Sequence, residues 1–324
     1  MKEKFQNNIF IFNTFSKRSL KFWIKYLISY VLNIAFHLIL FCSPHPVQNR
    51  KTKYKVTLCA IFKNEAPFLK EWILFHKMIG IEHIYLYNNF SEDNYIEVLT
   101  DFINSGFITL TEWPIPQGQI AAYKHWYENY RKETQWNCFL DLDEYICPYY
   151  KNDIYSWLKP FYKYPSVGVY WKMFGTSGQI EHDYNKLTIE QYTVSWDKYY
   201  DIGKIFYNTF YDITNFNRGM MHRIDSPIKI FGKTFNIPSV NEFGYFFNKY
   251  SIHHAKRNFT IQINHYWSKA FKEYEKKHKR GDAVFSKSPR NLEYFLFHEM
   301  NNRSSDFHIF RFIISLKLLY NEKS

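Results

Sequence analysis

The chain has 324 residues, 46% hydrophobic and 21% aromatic, which excludes general disorder and leaves room for one large domain or two small ones. A formal charge of +12 implies an anionic partner, whether nucleotide, membrane surface or nucleic acid. The four cysteines, Cys42, Cys59, Cys138 and Cys147, show no CxxC spacing, so neither a disulfide framework nor a zinc site is expected.

Residues 1–50 read as a basic and apolar N-terminal segment. Lys17, Arg18, Lys21 and Lys25 precede "YLISYVLNIAFHLILFCS", about 18 mostly apolar residues, the lower limit for crossing a bilayer, and Asn33 and His37 interrupt it. Three readings compete: a signal anchor with its basic flank inside, a helix lying in the interface, and an apolar helix packed on the main domain. A cleaved signal peptide fits less well, because the apolar stretch starts late and no small-residue cleavage pattern follows.

Residues 54–285 show short apolar runs separated by amphipathic stretches. "KVTLCAIF" reads as a buried strand and "APFLKEWILFHKMIG" as a helix ended by Gly80. "HIYLYN" is a second strand, "DNYIEVLTDFINSG" a helix closed by Gly106, and "FITLTEW" a third strand. "GQIAAYKHWYENYRKE" supplies another helix and "WNCFLDLDEY" another strand. Beyond Pro148, "SVGVYWKMFGTSGQ" reads as a strand running into a glycine-containing loop, followed by "LTIEQYTVSW". Such alternation predicts an α/β domain with a parallel sheet and covering helices. Residues 286–324 read as a helical segment, in which "FHIFRFIISLKLLY" forms an interfacial or a core-capping helix.

In "FLDLDEYICP" the acids Asp141, Asp143 and Glu144 gather at the end of an apolar run. If the run is one strand, Asp141 and Asp143 project from the same face while Leu142 faces the apolar side. The carboxyl end of a parallel strand is where ligands bind. Close carboxylates raise each other's pKa unless a cation offsets them, and a divalent ion with oxygen ligands, Mg²⁺ or Mn²⁺, is one remedy. The alternative is a solvated strand end, or pairing with nearby Lys or Arg.

The stretch "CAIFKNEAPFLKEWILFHKMIGIEHIYLYNNFSEDN" resembles glycosyltransferase family 92 and its relatives among the family-2-like glycosyltransferases. "FLDLDEYI", "WKMFGTSGQ" and "INHYWSKAFKEYEKKHKRGDA" fit the same family in order and spacing, over about residues 55–283. The resemblance implies a GT-A fold, Rossmann-like, with a central mostly parallel sheet and flanking helices. It also implies a nucleotide-sugar donor, UDP-linked, and inverting transfer of a hexose, with galactose one candidate, to a glycan acceptor of a surface polysaccharide, lipopolysaccharide or glycoconjugate. Asp141 and Asp143 are then the metal and donor-diphosphate carboxylates, and His265 is similar to the late histidine that completes the metal site. The implied cofactor is Mn²⁺ or Mg²⁺.

Lys63, Asn64 and Glu65 follow the first strand, and Asn89, Ser91 and Asp93 the second, where polar side chains can bind uracil and ribose or cap helices. Gly175 and Gly178 can let a loop approach a sugar closely or form an ordinary turn. Trp113 and Trp171 are sugar-stacking or core residues, and Lys204, Lys269 and Arg280 can assist the diphosphate. For the catalytic base, Glu181, Asp183, Glu190 and Asp201 are candidates, with Glu190 preferred because "LTIEQYT" resembles the family's block. Gln179 stands where relatives commonly carry His, and "WSKAF" lacks a Ser that often follows the lysine; both departures bear on the substrate.

Two rivals remain. A haloacid-dehalogenase-like phosphohydrolase also uses DxD, but on its first core strand, whereas three strand-like segments precede Asp141 here. A non-enzymatic module for anionic surfaces would account for the charge; the preferred reading involves no nucleic acid. Cysteine usage and the weak anchor point to a membrane-associated enzyme on the cytoplasmic face, with a type II anchor as the alternative.

Overall fold

A computed structural model describes residues 20–43, 50–214, 216–230, 232–247, 259–280 and 291–321. Lys17 and Arg18 of the basic flank lie outside the described residues, as does the end of the late block, Gly281 to Ala283. The N-terminal apolar run forms one helix, α1 (Leu20–Cys42).

The alternation expected from the sequence then appears as β1 (Tyr54–Phe62), α2 (Ala66–Met78), β2 (His83–Asn88), α3 (Tyr95–Asn104), β3 (Ile108–Glu112), α4 (Gln119–Asn129) and β4 (Thr134–Phe139). Gly80 and Gly106 follow α2 and α3 with φ of 90° and 72°, conformations that exclude most other residues. Both faces of β1 are covered: every residue from Val56 to Phe62 is buried, as the unbroken apolar run requires.

The next elements are β5 (Glu144–Pro148), α5 (Ile154–Leu158), β6 (Ser166–Met173), α6 (Thr188–Gln191), β7 (Val194–Trp196) and β8 (Gly203–Asn208). After them come β9 (Asp225–Ile230), β10 (Lys233–Pro238), β11 (Ile261–His265), α7 (Phe271–Arg280), α8 (Leu292–Met300), β12 (Asn302–Ser305) and α9 (Ile313–Asn321). Eight strands form one sheet in the order β3-β2-β1-β4-β8-β6-β11-β5. β3, β2, β1 and β4 are mutually parallel, β8 is antiparallel to β4 and to β6, β11 is parallel to β6, and β5 is antiparallel to β11. Six of the eight strands therefore share one direction, the mostly parallel central sheet with flanking helices that was expected.

One expectation is corrected. "WNCFLDLDEY" is two strands, because the chain turns at Asp141–Asp143, where the Glu144 N–H donates to Asp141 O at 3.1 Å. Leu140 still donates to Cys59 O on β1, and from Glu144 onward the chain pairs with β11 instead. Asp141 and Asp143 therefore do not project from one face of a single strand.

At the C-terminus, Ile309, Phe312 and Leu316 are buried in the main core, and α9 packs on α2.

Candidate active site

The turn between β4 and β5 places the acidic cluster at the carboxyl end of β4, beside the end of β11. Glu144 and His265 are register partners across the antiparallel β5–β11 pair, so His265 stands next to Asp143. The two aspartates reach in different directions. Asp141 Oδ2 accepts from Lys204 Nζ on β8 at 2.8 Å and its Oδ1 from Gln119 Nε2 on α4 at 3.0 Å. Asp143 Oδ2 accepts from Lys277 Nζ on α7 at 2.7 Å.

Three carboxylates and two lysines thus share the turn. Lys204 is wholly buried and also lies 3.3 Å from Glu144 Oε2. Burial works to lower the Lys204 pKa, but Asp141 and Glu144 outweigh it and raise it. Burial pushes the Glu144 carboxyl well up, and the charges of Asp141 and Asp143 add to this against Lys204. Burial thus favours the neutral form of Glu144 beside a charged Lys204. Burial also opposes ionisation of Asp143, yet Lys277 and His265 hold its carboxyl well below the usual range.

His265 Nε2 is 3.6 Å from Asp143 Oδ1, longer than a hydrogen bond. Neighbouring ligands on an octahedral divalent ion bound at about 2.0–2.1 Å stand about 3 Å apart, so Asp143 Oδ1 and His265 Nε2 would have to close by about half an ångström to share one, whereas Asp141 is turned to Lys204 and Gln119. Among the described residues, no three His, Cys, Asp or Glu side chains form a metal-binding group. The His265 ring lies 4.6 Å from Trp171, and His222 meets the same indole at 4.9 Å. His222 Nδ1 donates to Gly203 O, and burial followed by the Lys204 charge lowers its pKa to about 4. It is therefore neutral at pH 7. A Cβ at Gly203 would collide with Val169 O, so β8 approaches β6 closely enough to bring Lys204 in only with glycine there.

The sequence profile of glycosyltransferase family 92 matches residues 53–308, most of the chain. The chain belongs to glycosyltransferase family 92. A family 92 protein of Ricinus communis is 32% identical over 108 residues, 33% of this chain and 20% of the relative. One of Oryza sativa subsp. japonica is 33% identical over 98 residues, 30% of this chain and 17% of the relative. This family 92 chain thus spans a fifth or less of the length of those curated relatives. Among solved structures, S. aureus TarS 1-349 in complex with UDP is 14% identical, covering 48% of this chain and 47% of that one, with a TM-score of 0.32. The mannosyltransferase PcManGT from Pyrobaculum calidifontis with GDP-Man and Mn²⁺ is 14% identical over 46% and 45% of the two chains, with a TM-score of 0.29. Scores this low carry no inference.

The remaining candidates of the family 92 chain divide into a charge hub, a loop clamp and a separate acidic loop. Glu65 is the hub: its carboxylate lies 3.4 Å from Lys269 Nζ and accepts from Arg280, whose guanidinium also donates to the Lys63 and Asn64 carbonyls. Lys269, with φ of 51°, also sets its ammonium 3.1 Å from the centre of the Phe68 ring. Burial alone would raise the Glu65 pKa, but Lys269, Arg280 and Lys277 lower it to about 2.

Asn64, Ser91, Asp93 and Asn89 hold the strand-end loops to one another. The Asn64 N–H donates to Ser91 Oγ, Asn64 Oδ1 accepts from Glu92 N, and Asp93 accepts from Ala66 N at the start of α2. Asn89 Nδ2 donates to the Trp113 and Ile115 carbonyls. Gly175 faces Asn302, whose amide a Cβ there would strike. Glu190 pairs with Lys317 on α9 at 2.6 Å, and Asp183 caps its own turn at Asn185 and Lys186. Glu181 is exposed, and the adjacent Ile180 carbonyl accepts from Lys272 N on α7.

Sequence reasoning placed Glu144 in the acidic cluster but missed Gln119, His222 and Lys277 as members of the site. These three belong to no local pattern; only the fold brings them to the cluster.

Glu65→Gln is expected to cost on the order of 3 kcal/mol at pH 7, because Lys269 and Arg280 lose their anion. A carboxylate with a depressed folded pKa stabilises fully above its ordinary value of 4.5 and loses that contribution as pH falls towards about 2. Urea unfolding should therefore show the wild-type advantage shrinking between pH 5 and pH 3. A constant difference across that window would contradict the assignment.

Proposed function

We propose that this chain transfers a hexose from a UDP-linked donor to a glycan acceptor of a surface polysaccharide, lipopolysaccharide or glycoconjugate, with inversion at the anomeric carbon. The observation that supports the reading is the facing of Asp143 and His265 at 3.6 Å at the end of the sheet, with Lys277 on Asp143, Lys204 on Asp141, and Lys269 and Arg280 on Glu65. Asp143 and His265 would hold Mn²⁺ or Mg²⁺, with Asp141 joining them only if it left Lys204 and Gln119, and the ion when bound would stabilise the departing diphosphate.

The chain's own residues do the rest. Lys277 favours the ionised form of Asp143 before the donor arrives, and Lys204 holds Asp141 in place. Lys269 and Arg280, held by Glu65, fix the start and end of α7 against the loop after β1, so that Lys277 is presented to Asp143 at a set angle. The Lys63–Glu65 and Asn89–Asp93 loops form the rim on which uridine would rest, with Gly175 and Gly178 at the sugar side.

The proton of the acceptor hydroxyl goes to a carboxylate of the loop after Gly178. Glu190 would first have to leave Lys317 and Asp183 its capping role, whereas no described ion pair holds Glu181 beside α7. Glu181, free of such ties among the described residues, is therefore taken as the base ahead of the sequence preference for Glu190. The catalytic unit is taken as residues 54–285, flanked by the segments 1–50 and 286–324, and it is placed at the cytoplasmic face.

The test is a donor panel: full-length protein with UDP-, GDP- and CMP-sugars, with and without Mn²⁺, scored for nucleotide release. Mn²⁺-stimulated release of UDP is expected. Release of inorganic phosphate irrespective of the donor would support a phosphohydrolase and overturn the proposal.

A further inference from the structure

We propose that α1 lies flat on an anionic membrane surface, with one stripe seated on the sheet domain and the opposite stripe in the lipid. The inference is independent of the sugar-transfer chemistry. Asn33, Phe36 and Leu40 are buried at 4–5% exposure, and with His37 they form a stripe at helical spacing. Asn33 Oδ1 accepts from Phe246 N at 3.1 Å, and His37 Nε2 donates to Gly244 O at 2.8 Å. Phe36 meets the Phe246 ring at 5.3 Å, and the His37 ring meets Tyr164 at 6.0 Å. The two polar residues that spoil the helix as a span are thus the ones that fasten it to the domain.

That fastening decides the orientation. Asn33 lies about 20 Å along the helix from Leu20 at about 1.5 Å per residue, near mid-depth if the helix crossed a hydrocarbon layer of about 30 Å. The backbone at Gly244 and Phe246 would have to enter the layer with it, and irregular backbone exposed to lipid is not tolerated there. A helix parallel to the surface keeps both hydrogen bonds.

The free face states what covers it. Ile24, Leu27, Val31, Ile34, Leu38 and Phe41 form a second stripe, each between 49% and 83% exposed. Its 3-4 spacing would also suit a coiled coil with a second copy of the chain. The exposed apolar surface is wider than such a seam, since Leu20, Ile28 and Leu32 are exposed as well, and no charged residue between Tyr26 and Cys42 supplies flanking ion pairs. The cations Lys21 and Lys25 stand only at the N-terminal end, among Trp23, Tyr26 and Tyr30, the residue types that settle at the headgroup level. With a net charge of +12, the chain is complementary to an anionic lipid surface.

Flotation of the full-length protein with vesicles of phosphatidylcholine and phosphatidylglycerol tests this, with phosphatidylcholine alone as the comparison. Strong flotation with the anionic vesicles is expected, with a loss of about tenfold or more for Leu27→Lys combined with Leu38→Lys, both on the outward face. In a Cys42→Ser background, Leu20→Cys and Lys51→Cys should both react with an impermeant maleimide added outside the vesicles. Protection of one end alone would show a spanning helix. Undiminished flotation of the double lysine variant, or no flotation with a concentration-dependent dimer, would equally overturn the proposal.

Discussion

Asp143→Asn is expected to lower sugar transfer by at least about a thousandfold and to cost about 3 kcal/mol of stability at neutral pH. The substitution keeps the shape of the side chain and removes only its charge. Lys277 Nζ, 2.7 Å from Asp143 Oδ2 and 7% exposed at its side chain, is then a buried cation facing a neutral amide. His265 loses the carboxylate it faces across 3.6 Å. Nucleotide release from the donor reads the first effect and urea unfolding the second.

The pH dependence has a definite sign. The Asp143 carboxyl is held well below its ordinary value of 3.8 in the fold, so its contribution is complete above that value and fades on acidification. The stability gap between wild type and variant should close below about pH 4. Turnover of the folded variant within tenfold of wild type would remove Asp143 from the mechanism.

Lys204→Met is expected to be the most damaging substitution to stability, at about 3–5 kcal/mol at pH 8. Methionine matches the lysine stem in volume, so the core stays filled, but Asp141 loses its cation at 2.8 Å and Glu144 its cation at 3.3 Å. Glu144 is wholly buried, and its other oxygen has no partner among the described residues. A carboxyl whose folded pKa is raised contributes stability that is full below its unfolded value of 4.5 and is lost as pH rises through the folded value. Without Lys204 that value rises further, so the variant should lose more stability at pH 8 than at pH 5. Thermal unfolding at the two pH values checks it; a deficit no larger at pH 8 than at pH 5 would contradict it.

The first half of the fold was legible because its signals are local. β1 and β2 are short apolar runs buried on both faces, β3 is a half-buried edge strand in which apolar residues alternate with threonine, and Gly80 and Gly106 close the intervening helices at positive φ. The β4–β5 break was not legible, since Asp141–Asp143 turns without Gly, Pro or Asn, and apolar residues on either side continue a strand-like pattern.

In the site, the DxD pair and His265 were visible as residue types in a family-like order. Their partners were not. Lys277 lies 134 residues from Asp143, and Arg280 lies 215 from Glu65, so only the meeting of α7 with the ends of β1 and β4 joins them. Glu65 was visible only as a polar residue after a strand, a candidate for uracil or ribose; its place between Lys269 and Arg280 is a property of the fold.

The central claim is that the carboxyl end of β4 receives a nucleoside diphosphate through Asp143, His265 and a divalent ion. Calorimetric titration of the full-length protein with UDP, with and without Mn²⁺, tests it most directly. The account predicts binding that is at least about tenfold tighter with Mn²⁺ in the wild type, and no such gain in Asp143→Asn. Equal UDP affinity in wild type and variant, unaffected by Mn²⁺, would contradict it.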